Sequence, residues 1–214
     1  ACSLATGVAY LRSLTAAGLS LNQALATLTF TYSADTDQFT TIAKLRAARC
    51  LWHRVAEACG ASPSMRGQAQ HVVTSAAMLT RSDPWVNMLR NTVAVFSAGV
   101  GGAQAITVRP FDYALGTPDE FGRRTARNTQ LLLIEEAGIG RVADPAGGSW
   151  YVEDFTKSLT EAAWGRFQDI EARGGMIDML TNGHIEREVS ASWAEREARL
   201  MAGEESIIGV TVHS

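Results

Sequence analysis

The sequence predicts an α/β fold in which short parallel strands alternate with helices of a dozen or more residues. Runs of about five β-branched or mostly apolar residues recur at 28–32, 71–75 and 104–108. Longer segments with helical periodicity lie between these runs, and glycines separate the two kinds of segment. A helix between two strands returns the chain to the same end of the sheet, so such strands pair in parallel and are buried by the helices.

The first half of the chain shows this alternation most clearly. Ser3–Ala17 has a helical stripe of apolar residues, and Ser20 is placed to cap a short helical turn after it. Leu28–Tyr32 is β-branched and aromatic and predicts a strand. A long helical pattern follows over Thr36–Ala58, and His71–Ser75 predicts the second strand.

The next part of the chain repeats the helix–strand–helix order. Pro84 stands at the start of a helix that runs to Ser97, a position where its missing N–H costs nothing. Gln104–Val108 predicts the third strand. Thr117 and Glu120 have the spacing of a capping box and predict the start of a helix that extends to Ala137.

The pattern changes after residue 137. Three further helices are predicted, over 153–173, 176–180 and 185–201. A last apolar stretch, 207–212, predicts an isolated strand. The sequence therefore divides into βα units over residues 1–137 and a helical extension over 138–214. Three βα units leave sheet edges unpaired, so we expect a part of a longer chain, or a chain that needs a partner.

Composition and charge exclude several classes of function. The chain has 214 residues, 46% of them hydrophobic, and a net charge of −3, which favours neither nucleic acid nor an anionic membrane as a partner. Three widely spaced cysteines predict reduced thiols, as in a cytoplasmic protein. We predict no metal site because the histidines and cysteines lack the spacing of ligands: they are His53, His71, His184, His213, Cys2, Cys50 and Cys59.

A series of short motifs runs through the chain in a fixed order. It includes Leu45-Arg46-Ala47, Arg90-Asn91-Thr92, Ala126-Arg127-Asn128-Thr129-Gln130 and Asp144-Pro145-Ala146-Gly147-Gly148. Together the motifs resemble those of the methylmalonyl-CoA mutase family of adenosylcobalamin-dependent isomerases, from residue 5 to residue 212. The resemblance implies a (β/α)8 barrel of the TIM type. This chain would hold strands six to eight with their helices, followed by a helical C-terminal segment.

The resemblance also reveals where this chain departs from catalytic members of the family. Those members carry Arg-Leu-Ser at the sixth strand, where the Arg meets CoA. This chain carries Thr27 and Thr29 in place of the Arg and the Ser, and neither can form the bidentate pair that Arg forms with phosphate. Val73 replaces a Gln that faces the adenosyl group, and Tyr113 replaces a Glu that meets the adenosyl ribose. We therefore predict no catalytic, cofactor-binding or substrate-binding residue in this chain.

Matching helix motifs with altered strand ends are most similar to the small, non-catalytic subunits of the family. The resemblance implies a heterodimer with a catalytic large subunit, which interconverts methylmalonyl-CoA and succinyl-CoA. The complex would use adenosylcobalamin, and this chain would bind none. The alternative is a catalytic barrel of the same or a related acyl-CoA mutase with altered substrate contacts. A Tyr-His pair just upstream of Ala1 would favour that alternative.

Other polar residues are better explained by structure than by chemistry. Glu135 and Glu136 are adjacent on a helix and point about 100° apart, so they do not converge on a substrate. The pair Gly147–Gly148 follows Asp-Pro and predicts a tight turn. We expect His71 to be a hydrogen-bonded histidine of the core. The expectation for the surface arginines is that they pair with carboxylates and cover helix surface: these are Arg123, Arg124 and Arg127.

A barrel without substrate has no reason to keep an open axis, because an empty channel loses packing contacts. We therefore expect Val73, Ile106 and Tyr113 to lie close to the inner face of the sheet. Tyr113 should lie near the mouth of the barrel, with its hydroxyl hydrogen-bonded.

Overall fold

Three short strands form one parallel sheet in the computed structural model, which describes residues 1–213. They are β1 (Thr29–Ala34), β2 (Ala69–Thr74) and β3 (Ala105–Thr107), and they lie side by side in chain order. Thr29 pairs with Ala69, and His71 pairs with Ala105. The predicted strands, their parallel pairing and their order are confirmed.

Five helices accompany these strands and three follow them. The first five are α1 (Cys2–Ala16), α2 (Leu21–Thr27), α3 (Gln38–Ala58), α4 (Val86–Val100) and α5 (Glu120–Leu131). The last three are α6 (Trp150–Ala172), α7 (Gly175–Thr181) and α8 (His184–Met201). A π-helical turn, Leu132–Glu136, continues α5. The short 3-10 turns are Pro63–Met65, Ala76–Met78, Tyr113–Leu115 and Ile139–Arg141.

One of the two predicted helix caps is confirmed. Ser20 caps α2 as expected: its hydroxyl accepts a hydrogen bond from the Gln23 backbone, and the Gln23 side chain accepts one from the Ser20 N–H. The capping box predicted at Thr117 is wrong. Asp119 caps α5 instead, its Oδ1 accepting from the Gly122 N–H at 2.7 Å. A carboxylate at this position also interacts favourably with the helix dipole, which explains the later start.

The strand predicted over residues 207–212 is also wrong. The backbone N–H groups of Val210 and Thr211 both return to the Ile207 carbonyl, at 3.0 and 2.9 Å, and close a tight turn. Ile208 and Val212 form only an isolated bridge. No neighbouring strand is available to this segment within the described chain, so its β-branched residues fold back on themselves.

The sheet is covered by helices on one face. Side chains alternate between the two faces of a strand, and the even-numbered residues are the buried ones, as in Phe30, Gln70 and Val72. Phe30 meets Trp52 of α3 edge-on, with ring centroids 4.7 Å apart. Gly7 of α1 lies against both rings, where a Cβ atom would come within 2.8 Å of each. Helix α3 packs between α4 and α6 and so links the βα units to the helical extension.

Arg46 of α3 joins the helical extension to the βα units. Its guanidinium contacts Asp144 and the Glu153 carboxylate, the latter at 2.7 Å. The Gly147 N–H donates to the Asp144 carbonyl, which confirms the predicted tight turn, and the Gly148 N–H donates to Glu153 at 3.1 Å. The Gly148 hydrogen bond, with the contact to Arg46, lowers the pKa of Glu153 below its ordinary value of 4.5.

Asn87 of α4 is the centre of a second polar cluster, and its side chain is fully buried. Its Nδ2 donates to the Thr80 and Phe111 carbonyls, both at 2.9 Å. Its Oδ1 accepts from the Thr80 N–H at 3.1 Å and from Arg90 at 2.7 Å. Arg90 in turn donates to the Ile208 carbonyl at 2.5 Å. One side chain therefore holds the loop after β2 and the loop after β3, and through Arg90 it reaches the C-terminal turn.

We expect Asn87→Ala to lower the free energy of unfolding by about 2–3 kcal/mol, since buried donors and acceptors lose their partner. Asn128→Ala is the matched control, because Asn128 is an exposed helical asparagine without a side-chain hydrogen bond among the described residues. It should change stability by less than about 0.5 kcal/mol. Urea denaturation measures both variants. Equal stabilities would contradict the role of Asn87.

The lowered pKa of Glu153 predicts a pH-dependent contribution to stability. A carboxyl group with a depressed folded-state pKa stabilises the protein above its ordinary pKa, and loses that effect as the pH falls through the folded-state value. Glu153→Gln should therefore unfold at a lower urea concentration than the wild type at pH 7, and the difference should shrink at pH 3. Glu161→Gln, an exposed glutamate on the same helix, serves as the control and should show no such trend. A difference that is independent of pH would contradict the prediction.

Candidate site on the open face of the sheet

The face of the sheet turned away from the helices is open and carries small, uncharged side chains. Strand alternation assigns it the odd-numbered residues. These are Thr29, Thr31 and Ser33 of β1, Ala69, His71 and Val73 of β2, and Ala105 and Thr107 of β3. The face therefore offers hydroxyl groups and one imidazole, with no Asp, Glu, Lys or Arg among its members. It has hydrogen-bonding capacity but no carboxylate, ammonium or guanidinium group to pair with a phosphate or a carboxylate.

His71 bridges two strands on this open face. Its Nε2 lies 2.8 Å from the Thr107 hydroxyl, and the residue is half-buried. The expectation of a hydrogen-bonded histidine is confirmed, but its placement in the core is wrong. An odd position on β2 points away from the helices, because Gln70 and Val72 occupy the helix-facing positions.

The predicted CoA-contact positions lie at the amino end of β1. Thr27 is the last residue of α2, and its hydroxyl donates to the Ala24 carbonyl at 2.8 Å. Thr29 is the first residue of β1 and pairs with Ala69. Val73 is four residues further along β2 than Ala69, about 13 Å at the usual rise of a strand. The structure thus does not bring the candidate residues into one cluster: they occupy opposite ends of the sheet.

Val73 and Tyr113 lie toward the carboxyl end of the sheet. Val73 is half-buried on the open face and pairs with Ser33 and Thr107, as expected for an inner-face position. Tyr113 follows β3 in a 3-10 turn, exposed, with the Arg109 guanidinium 4.7 Å from its ring centre. Among the described residues the Tyr113 hydroxyl has no hydrogen-bond partner, so that part of the prediction is wrong.

Ile106 does not lie on the open face, and its prediction is wrong. It pairs in register with Val72, whose side chain is buried under the helices. Ile106 accordingly packs against Val95 and Ile139 on the helix side. The reason is the register of β3: the Gln104 side chain and backbone both bond to the Gln70 backbone, at 2.7 and 3.1 Å. Because these hydrogen bonds fix where β3 begins, the odd-numbered residues of β3 lie on the open face.

Arg109 is a strand-end residue that the sequence reasoning did not single out. Its backbone N–H donates to the Thr74 hydroxyl at 2.8 Å, and its Nε donates to the Thr74 carbonyl at 3.0 Å. Asn91 of α4 donates to the Arg109 carbonyl at 2.8 Å. The signal is its position directly after a parallel strand of an α/β sheet, where functional groups concentrate. Here the side chain is engaged in closing the end of β2 onto the loop after β3.

The polar surface residues singled out from the sequence have structural contacts. Arg123 donates to the Pro118 carbonyl at 2.5 Å, and Arg124 lies over the Phe121 ring. These contacts cover helix surface as expected. The expected pairing with carboxylates is wrong, since no ion pair within residues 1–213 includes Arg123, Arg124 or Arg127. Glu135 and Glu136 lie exposed on the π-helical turn.

Residues 1–213 contain no group of three His, Cys, Asp or Glu side chains that could hold a metal ion. No described helix combines the length and the apolar character needed to cross a membrane. The three cysteines are free thiols: Cys2, Cys50 and Cys59.

Fold and site together define an α/β protein with a parallel sheet, helices on one face and a neutral second face. The family model described as methylmalonyl-CoA mutase matches residues 1–214. The chain belongs to the methylmalonyl-CoA mutase family.

Relatives within this family include both small subunits and proteins without that designation. The chain is 56% identical over 209 residues to the methylmalonyl-CoA mutase small subunit of Streptomyces virginiae, covering 98% of the chain and 34% of the relative. It is 47% identical over 210 residues to the small subunit of Propionibacterium freudenreichii subsp. shermanii, covering 98% and 33%. Identity to the methylmalonyl-CoA mutase of Escherichia coli is 35% over 209 residues, covering 97% and 29%. The chain thus spans about a third of the length of the curated relatives it matches.

Proposed function

We propose that this chain is part of the small, non-catalytic subunit of a methylmalonyl-CoA mutase. Residues 1–137 would form strands six to eight of a (β/α)8 barrel with their helices, and residues 138–214 the helical extension after it. The subunit would be the structural partner of a catalytic large subunit in a cytoplasmic heterodimer, which interconverts methylmalonyl-CoA and succinyl-CoA. The parallel strand order and the identities to small subunits support this proposal.

The neutral open face is the observation that carries the proposal. Barrel enzymes place reacting groups at the carboxyl ends of their strands. At those ends this chain has Val73 and Thr107 on the open face, while Thr74 and Arg109 bond to each other. At the amino end Thr27 bonds to its own helix. None of the side chains on the open face is an Arg, Lys, Asp or Glu, and the Arg109 guanidinium beyond β3 is engaged with the Thr74 carbonyl and the Tyr113 ring.

The adenosyl part of the cofactor does not fit the residues at its family positions. Val73 has no hydrogen-bonding group in its side chain. Tyr113 lies beneath the Arg109 guanidinium, exposed beyond the end of β3. Neither reproduces the amide or the carboxylate that catalytic members are expected to offer. In this proposal the rest of the complex therefore binds adenosylcobalamin, and no chemical step depends on this chain.

In this proposal the chain contributes structural support to the complex and no chemical group. Several residues of its family motifs have structural contacts: Arg46 fixes the helical extension, and Arg90 and Asn91 hold the strand-end loops and the C-terminal turn. These contacts maintain a folded barrel wall although the open face lacks reacting groups. A stable wall is what a partner subunit needs for a defined docking surface.

We expect substitutions on the open face, and of Tyr113 beyond the end of β3, to leave turnover of the assembled mutase unchanged. Thr29→Ala, Val73→Ala and Tyr113→Phe in the full-length subunit, combined with its partner, should each keep kcat and KM within about twofold, since they touch no reacting atom. Steady-state kinetics at equal complex concentration, checked by gel filtration, measures this. A tenfold loss of kcat in an intact complex would favour the catalytic alternative.

The full-length small subunit alone should bind adenosylcobalamin more weakly than micromolar, because Val73 and Tyr113 supply none of the expected adenosyl contacts. Isothermal titration calorimetry measures this, with the assembled complex as the positive control. Micromolar or tighter binding by the subunit alone would contradict the proposal.

A further inference from the structure

The exposed thiol of Cys50 lines a pocket between α3 and α6. Arg46, Arg49 and Cys50 share one face of α3, because residues three and four apart on a helix are neighbours. Glu153 and Thr156 share a face of α6 for the same reason. The volume of the pocket is about 430 Å³, a size typical of small-molecule sites. Its lining consists of Arg46, Arg49, Cys50, Gly102, Asp144, Glu153 and Thr156.

Arg49 supplies a fixed positive charge to this pocket. Its Nη1 donates to Gln70 Oε1 and its Nη2 donates to the Gly101 carbonyl, both at 2.7 Å. Burial, followed by the nearby charge of Arg46, lowers the pKa of Arg49 below its ordinary value. No ion pair within residues 1–213 includes Arg49. The guanidinium therefore has neutral hydrogen-bond acceptors but no carboxylate paired with it.

The other side of the pocket is negative. Arg46 is paired with both Asp144 and Glu153, and the carboxylates of these two residues are about half exposed. One guanidinium between two carboxylates leaves one negative charge uncompensated. The pocket thus presents a cation at Arg49 and an anion at the Asp144–Glu153 pair. A ligand that carries both a carboxylate and an ammonium group can pair with both sides.

A polar group in the pocket lining lacks a hydrogen-bond partner. Thr156 is only 7% exposed, and its hydroxyl bonds to none of the described residues. The Nε of Arg46 is also buried and has no acceptor. Buried donors are nearly always satisfied, and a helical threonine has two common χ1 rotamers through which its hydroxyl can turn. These two donors indicate a ligand with oxygen acceptors.

We propose that Cys50 is a modification site, at which a small thiol that carries an amino-acid group forms a mixed disulfide. The carboxylate of the thiol pairs with Arg49, its ammonium group lies beside Asp144 and Glu153, and its other oxygens accept from Thr156. Nothing in this site depends on the proposed function.

Cys59 lacks these surroundings and provides an internal comparison. It is an exposed free cysteine at the C-terminal end of α3, and it does not line the pocket. Any difference between Cys50 and Cys59 toward the same reagent therefore reports on the pocket.

The reaction is a thiol–disulfide exchange with the disulfide form of the small thiol. The Cys50 thiol loses its proton to solvent, and the resulting thiolate attacks one sulfur of the disulfide. A new S–S bond to Cys50 forms as the old one breaks, and the released thiolate takes up a proton. Each exchange consumes one disulfide and yields one adduct and one free thiol, so no further oxidant is required.

The test compares the two cysteines in the full-length protein. Glutathione disulfide is the probe, since it carries carboxylate and ammonium groups, and cystamine is the comparison, since it has ammonium groups but no carboxylate. Non-reducing digestion with trypsin separates the two sites into peptides 50–54 and 55–66, whose adducts mass spectrometry counts over time. With glutathione disulfide, Cys50 should gain its adduct about fivefold faster than Cys59. With cystamine the ratio should fall to about twofold or less.

A variant separates the charge of Arg49 from the exposure of Cys50. Arg49→Gln should lower the glutathione ratio to about the cystamine value, because the carboxylate of the probe loses its partner. Arg123→Gln is the matched control and should keep the wild-type ratio, since Arg123 also bonds to a backbone carbonyl but lies on α5. The melting temperature shows whether each variant is folded. If Arg49→Gln does not fold, the two disulfides on the wild-type protein still test the same claim.

Three results would overturn the proposal. The first is an equal rate at Cys50 and Cys59 with glutathione disulfide. The second is an equal preference for Cys50 with cystamine, because exposure of the thiol alone would then explain the reaction. The third is a Cys50 that neither disulfide nor iodoacetamide modifies in the full-length protein, which would mean that another part of that protein covers the pocket.

Discussion

The alternation of side chains along three parallel strands is the constraint on which the rest of this structure depends. Every second residue is buried under helices, so Phe30, Gln70 and Val72 must satisfy the packing of α1, α3 and α4. The intervening residues point to the other face and are free of that requirement. They are mostly small, they include no Asp, Glu, Lys or Arg, and they do not take part in the packing against the helices. A chain of this kind can lose reacting groups from one face without losing the fold that the other face maintains.

Helices cover only one face of the sheet, and two polar clusters hold the surrounding loops and helices in place. The buried Asn87 side chain has five hydrogen bonds: four connect α4 to the loops after β2 and β3, and the fifth positions Arg90 of the same helix. Arg46 performs the same role between α3 and the helical extension. Hydrogen bonds between partly or fully buried polar groups help to specify one arrangement of a chain. The family motifs thus include the residues whose contacts position loops and helices.

The helices, the strands and the order of the strands could be predicted from the sequence, but the register of β3 could not. Strand positions, their parallel order and the cap at Ser20 follow from local patterns that tertiary contacts did not override. Ile106 was misplaced because β3 has only three residues, and its register depends on a Gln104–Gln70 contact across 34 positions of sequence. The cap at Asp119 prevailed over Thr117 because two acceptors competed for one helix start. The residues of the open face follow from the alternation of side chains along a strand. The hydrogen bond between His71 and Thr107, in contrast, could be identified only in the structure.

We propose that this chain forms part of the barrel of the small subunit and binds no substrate. An experimental structure of the full heterodimer with acyl-CoA bound tests it most directly. The expected result is one acyl-CoA per heterodimer, threaded through the barrel of the large subunit, with none beside Thr29 and Val73. A pantetheine arm running along the open face of β1, β2 and β3 in the small subunit would contradict the claim.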